Sequence, residues 1–238
     1  MGEDALRAEI EREFVVEREG WVVERTTRVD ERLQPGVPAA ERLHTLVLWS
    51  EAHTAFTGPG RTIYFSRRLL ERMADDDATA MVVAHELAHH RLGHVPALPR
   101  GWLLLPVRLA IAYLQQRIAG ADHERDADLL GIELCLDAGY DPERCVAAFE
   151  HLANVVVDYG DIDGWLGRPG WTRRHPPLAE RIAAVRAHVE AVRRGHRLSV
   201  DLDERRKRKR KRNRRLATAA AVGGAAVAAA LFVLRRRR

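Results

Sequence analysis

Cysteine is scarce: the 238-residue chain has two, Cys135 and Cys145. Their spacing sets no disulfide framework and matches no zinc-site pattern, so both read as buried thiols in a reducing compartment. An apolar leader is also lacking. Acids begin at Glu3 and no hydrophobic stretch follows them, so no secretory signal peptide is expected. No internal repeat is visible. Before residue 216 no unbroken apolar run reaches membrane length; the strongly apolar segment 102–119 is interrupted by Pro106 and Arg108.

What is present is enough for a folded domain. Hydrophobic residues make up 46% of the chain, which suits a single core of ordinary size. The formal net charge of +5 hides two different objects. Residues 203–238 hold 14 basic residues against two acids, leaving 25 basic and 32 acidic residues, a net of −7, for 1–202. An acidic body is therefore followed by a very basic tail. Within that tail, "RRKRKRKRNRR" precedes 19 uncharged residues, 216–234, and "RRRR" closes the chain. At 1.5 Å per residue the uncharged run would make a helix of about 28 Å, close to the thickness of a bilayer's hydrocarbon. These features predict a domain over 1–202, a basic juxtamembrane linker over 203–215, a single transmembrane anchor over 216–234 and a basic tail over 235–238. Ten basic residues before the span outweigh four after it. The positive-inside rule then places the body in the cytoplasm, at the cell membrane. Lipid headgroups are the expected partner of 205–238, and nucleic acid is not expected.

Along the body, "EDALRAEIEREFVVEREG" reads as an amphipathic helix ending near Gly20, whereas the pattern of "WVVERTTRVDERL" fits a strand or a helix. "LHTLVLWSEAHTAF" and "RTIYFS" read as two strands around the Gly/Pro turn "TGPG". The run Asp75–Asp77 caps a helix from about Ala78 to Leu92, with Gly93 at its end. Further helices are predicted from about Asp122 to Leu136, from Pro142 to Val156, and from the prolines after His175 to Gly195. Early strands and later helices predict an α+β fold.

Four of the chain's eleven histidines lie in "VVAHELAHHRLGH", residues 82–94. At about 100° per residue, His85 and His89 fall about 40° apart and share a face. On a continuous helix His90 lies about 140° and His94 about 180° from His85, so both are expected to point elsewhere. His-Glu-x-x-His can hold zinc while leaving a position for water, with Glu86 taking that water's proton. Five residues also match by chance, so a third donor matters. "DHERDADLLG" offers Glu124 and Asp128 on one helical face. Glu124 can complete a His2Glu site and Asp128 can accept the ring N–H of a ligand histidine; His123, about 100° round from Glu124, is the rival donor.

With these residues the chain resembles, from about Thr45 to Ala184, the zinc peptidase family of the CAAX prenyl endopeptidases and HtpX-type proteases. "HTAFTGPGRTIYFSRRLLERM" is similar to that family's edge strands and the helix after them. Its usual Asn-Ala-Phe appears here as Thr54-Ala55-Phe56. "VVAHELAHHRLGH" and "HERDADLLGIELCLDAGYDP" resemble its two metal helices, and "RRHPPLAERI" its late His-Pro segment before a helix bearing an arginine. The resemblance implies a zincin-like fold, mostly helical with a small edge-strand sheet. It implies one Zn2+ ion on His85, His89 and Glu124, Glu86 as general base, Asp128 as support, and substrate added along Thr54–Phe56. It also places His175 near the metal's open position; a helix cap beside Pro176 is the other reading of that residue. The chain departs from the family in lacking the prenyl endopeptidases' multi-span cage, and 102–119 lies where HtpX-type members insert spans. The expected function is zinc-dependent hydrolysis of peptide bonds in unfolded or membrane-proximal proteins. Two alternatives remain: a membrane-anchored zinc-binding chaperone or binding module without turnover, and a nucleic-acid-associated protein using 205–215.

Overall fold

The computed structural model describes residues 3–51, 53–58, 60–95, 121–159 and 178–199. The chain divides into two compact units, Met1–His196 and Arg197–Arg238. The first is mostly helical with a small sheet. Of the second only 197–199 are described, so the expected linker and anchor lie outside the described residues, as do His175 and segment 102–119. Among the described residues no helix is long and apolar enough to cross a membrane.

The opening helix α1 (Glu3–Glu13) is shorter than the sequence suggests. It buries Leu6 and Ile10, one turn apart, against Leu48, Phe56 and Tyr64; truncating either to alanine would cost about 2–5 kcal/mol. The expected continuation to Gly20 gives way to β1 (Val15–Val16), which pairs antiparallel with a later strand. Two adjacent β-branched residues suit an extended edge better than another helical turn. "WVVERTTRVDERL" is a helix, α2 (Trp21–Leu33). Its buried residues Val22, Thr26, Val29, Asp30 and Leu33 follow the helical period, so packing decides where propensity does not.

The sheet corrects the expectation of two strands. The first of them divides into β2 (His44–Trp49) and β3 (Ala55–Thr57), and β4 (Thr62–Ser66) follows. The order is β1-β2-β4-β3. Only β3 and β4 form the antiparallel hairpin across "TGPG"; β2 pairs parallel with β4. All five residues of β4 are buried, as a central strand requires. The polar break at Ser50 and Glu51 lets the chain leave β2 and return as β3 on the far side of β4.

Ser66 caps α3 (Arg67–Arg72) by accepting from Leu69 N–H. Asp75 caps α4 (Asp76–Leu92), its carboxylate accepting from Ala78 N–H at 2.9 Å. Helix α4 is buried along most of its length, so it has no wide polar face. It packs chiefly against α5 (Ala121–Asp137), and also against α6 (Pro142–Tyr159), α2 and β3. The last helix, α7 (Leu178–Arg193), crosses α5 and α6. Close approach of α4 and α5 depends on Gly131: a side-chain Cβ there would sit 3.2 Å from His85 N and 3.3 Å from its Cα. Arg32 of α2 donates to the carbonyls of Ala138 and Gly139, both at 2.7 Å, closing the C-terminal end of α5.

Candidate metal centre

Helix α4 presents His85 and His89 one turn apart, and the first turn of α5 brings Glu124 to them. The two Nε2 atoms stand 3.0 Å apart. Glu124 places Oε2 3.5 Å from His85 Nε2 and Oε1 3.4 Å from His89 Nε2. Donors held at about 2.0–2.2 Å around a tetrahedral ion are separated by about 3.3–3.6 Å. The three separations approach that spacing, and two imidazole nitrogens this close need a proton or a metal between them. His89 and Glu124 are buried, and His85 is partly so. Among the described residues this is the group able to hold a metal ion. The donor set, two imidazoles and a carboxylate, suits zinc.

Behind His85 stands Asp128, one turn beyond Glu124 on α5. His85 Nδ1 lies 2.9 Å from Asp128 Oδ1. Arg181 of α7 grips the same carboxylate with two bonds of 2.7 Å, Nε to Oδ2 and Nη2 to Oδ1. Its guanidinium also lies over the Phe149 ring, 5.0 Å from the centroid. Burial alone would raise Asp128, but Arg181 and then His85 outweigh it and hold the carboxyl below its ordinary range. Burial likewise works against a charged His85, yet Asp128 and Glu124 push its pKa up to about 10. The two carboxylates therefore favour positive charge at His85, whether a proton or a metal ion, and a metal must displace that proton because it binds the neutral imidazole.

Glu86 is buried beside the group. Thr57, the last residue of β3, sets its hydroxyl 2.8 Å from both Glu86 Oε2 and the Glu86 carbonyl oxygen. Its single hydrogen is given to one or shared between them. The strand also has a defined outer edge. Ser66 N–H donates to Thr54 O, and Gly58 N–H to Thr62 O. With Phe56 opposite Tyr64, alternation then turns the backbone groups of Ala55 and Thr57 away from β4.

Thus His85, Glu86, His89, Glu124 and Asp128 come together, while Thr54–Phe56 lie on the neighbouring edge strand. His175 lies outside the described residues. His123 stacks on His94 (ring centroids 4.1 Å apart) rather than joining the donor group. His90 is half-buried and outside that group. His94 departs from the expectation that it points away: its Nδ1 is 3.0 Å from His89 Nδ1. The helix is not continuous to residue 94, because Gly93 takes φ +72 and turns the chain back. Sequence reasoning also missed the roles of Thr57 and Arg181. Thr57 directly follows the edge-strand tripeptide, and Arg181 is the arginine noted after the His-Pro segment; neither position reveals its partner.

A small sheet with an open edge, a buried His-Glu-x-x-His helix and a carboxylate from a second helix define a metallopeptidase domain. The profile of peptidase family M48 matches residues 18–98 and 100–189, most of the chain. The chain belongs to that family, which contains the CAAX prenyl endopeptidases and HtpX-type proteases and whose members are zinc-dependent. No curated protein matches the chain.

Proposed function

We propose that this protein is a zinc-dependent endopeptidase acting on extended segments of unfolded or membrane-proximal proteins. The observation that carries this reading is the convergence of His85, His89 and Glu124 beside a buried Glu86. A zinc ion held there supplies a Lewis acid that polarises the scissile carbonyl and brings a water's pKa toward neutrality. The chain's own groups do the remaining work. Glu86 takes the proton of the attacking water and returns it to the leaving amine. Thr57, hydrogen-bonded to Glu86, holds that carboxylate in place. Asp128 accepts from His85 Nδ1 and keeps Nε2 facing the donor group. The outward backbone groups of Ala55 and Thr57 suit an extended substrate added to the sheet edge, which favours unfolded over folded targets. His175 stabilises the developing oxyanion or gates the site, a role that rests on the family resemblance alone.

In the same reading, 216–234 anchor the protein in the membrane. The basic residues on both sides bind anionic headgroups, and the catalytic body faces the cytoplasm. Zinc-loaded protein is expected to cleave an unstructured substrate such as casein, and a chelator to stop it. Failure to cleave at any zinc loading overturns the enzymatic reading and leaves the binding-module alternative. Fractionation checks the anchor: full-length protein in the membrane pellet and a chain lacking 216–238 in the supernatant. A soluble full-length chain contradicts it.

A further inference from the structure

The two candidate ligand histidines are supported by different chemistry: His85 by a carboxylate, His89 by a second imidazole. His89 turns Nε2 toward His85 and Glu124, so its other nitrogen, Nδ1, points away from the donors. That nitrogen meets Nδ1 of His94 at 3.0 Å. Two ring nitrogens at this distance form a hydrogen bond only when one of them carries the hydrogen. A neutral imidazole that gives Nε2 to a metal keeps its hydrogen on Nδ1, so His89 is the donor and His94 Nδ1 the acceptor.

The backbone is built to bring this acceptor there. Gly93 N–H is bonded to the carbonyls of His89 and His90, φ at Gly93 is +72, and His94 N–H donates to His89 O at 3.0 Å. The His94 ring is then held from its other side by His123, stacked at 4.1 Å and 17°. His123 immediately precedes Glu124. The stack therefore ties the end of the first metal helix to the start of the second.

We propose that His94 is the positioning residue of His89. It accepts the His89 Nδ1 hydrogen, fixes that ring's tautomer and direction, and so sets metal affinity. This rests on the assignment of His85, His89 and Glu124 as the zinc site. The test is zinc affinity of the full-length chain, measured by competition with a chromophoric chelator, for wild type, His94→Phe and His94→Asn. Phe keeps a ring to stack on His123 but has no acceptor; Asn places its amide oxygen where Nδ1 stands. His94→Phe is expected to bind zinc 10–100-fold more weakly, while His94→Asn stays within a few-fold of wild type. Equal affinity in His94→Phe, or a His94→Asn as weak as His94→Phe, overturns the proposal. Wild type that binds no zinc overturns the site assignment itself, and the proposal with it. Should His94→Phe fail to fold, nitrogen-15 NMR of the zinc-loaded wild type decides. A hydrogen on His89 Nδ1 with a through-bond coupling to His94 Nδ1 is expected, and a His89 Nδ1 without hydrogen overturns the proposal.

Discussion

Asp128 and Asp30 are both buried aspartates, yet their surroundings drive them in opposite directions. Asp128, at the candidate metal centre, has the guanidinium of Arg181 on both oxygens and His85 on one. It stays below the ordinary carboxylate range. Asp30, on α2, ties that helix to β2 by accepting from Thr45 N–H at 2.6 Å and Thr45 Oγ1 at 2.8 Å. Burial outweighs these two bonds and pushes its pKa up to about 7. The helical side of the domain compensates its buried charge with charge, so Asp128 stays an ionised acceptor behind His85. The sheet side uses neutral donors, which suffice to set the register of α2 on β2 but not to keep a carboxylate fully ionised.

Removing the guanidinium breaks the contrast most severely. Arg181→Met would leave Asp128 buried with His85 alone to offset its charge, and a loss of about 3–5 kcal/mol is expected in denaturant unfolding. Asp128→Asn keeps an acceptor for His85 but leaves Arg181 with only the longer ion pair to Glu124 Oε2, at 3.7 Å. Zinc affinity should fall about 10–100-fold by chelator competition. Gly131→Val tests whether the site depends on helix contact as well as charge. Its side chain would press on the His85 backbone and Met81, and overpacking of this kind costs about 1–3 kcal/mol. On the sheet side, Thr45→Val removes one hydroxyl donor to Asp30 and should cost about 1 kcal/mol.

The two aspartates also give opposite pH slopes. Asp30 titrates higher when folded (about 7) than its ordinary 3.8, so the folded chain holds its proton more tightly. Its contribution to stability is full below the ordinary value and is lost as pH rises through about 7. Asp128 is depressed, so its contribution is present above its ordinary value and is lost as pH falls below it. Asp30→Asn should therefore flatten the decline of stability between pH 4 and 7, read from unfolding midpoints, and leave the acid limb unchanged. An unaltered slope would place Asp30 in the ordinary range.

Much of the site was legible because it follows the helical period. His85 and His89 recur at i and i+4, and Glu124 and Asp128 do the same on the second helix, so each pair had to share a face. Legibility ended where the chain stops being periodic. The rotation that sent His94 away holds only on a continuous helix, and Gly93 ends it one residue earlier. Tertiary pairing was equally hidden. Val15–Val16 became a strand because Leu48 and Trp49 offer an edge to pair with, and β2 separated from β3 because β4 inserts between them. "WVVERTTRVDERL" was ambiguous since its valines and threonines suit strands, and only the buried stripe from Val22 to Leu33 decides for helix. The Arg181–Asp128 pair spans 53 positions, beyond the reach of any local pattern.

Zinc content and proteolysis measured on the same preparation of Glu86→Gln separate metal binding from proton transfer. One zinc per chain is expected, as in wild type, with casein cleavage reduced by several orders of magnitude, because the ligands remain and the proton acceptor is gone. Cleavage at the wild-type rate by zinc-loaded Glu86→Gln would contradict Glu86 as that acceptor.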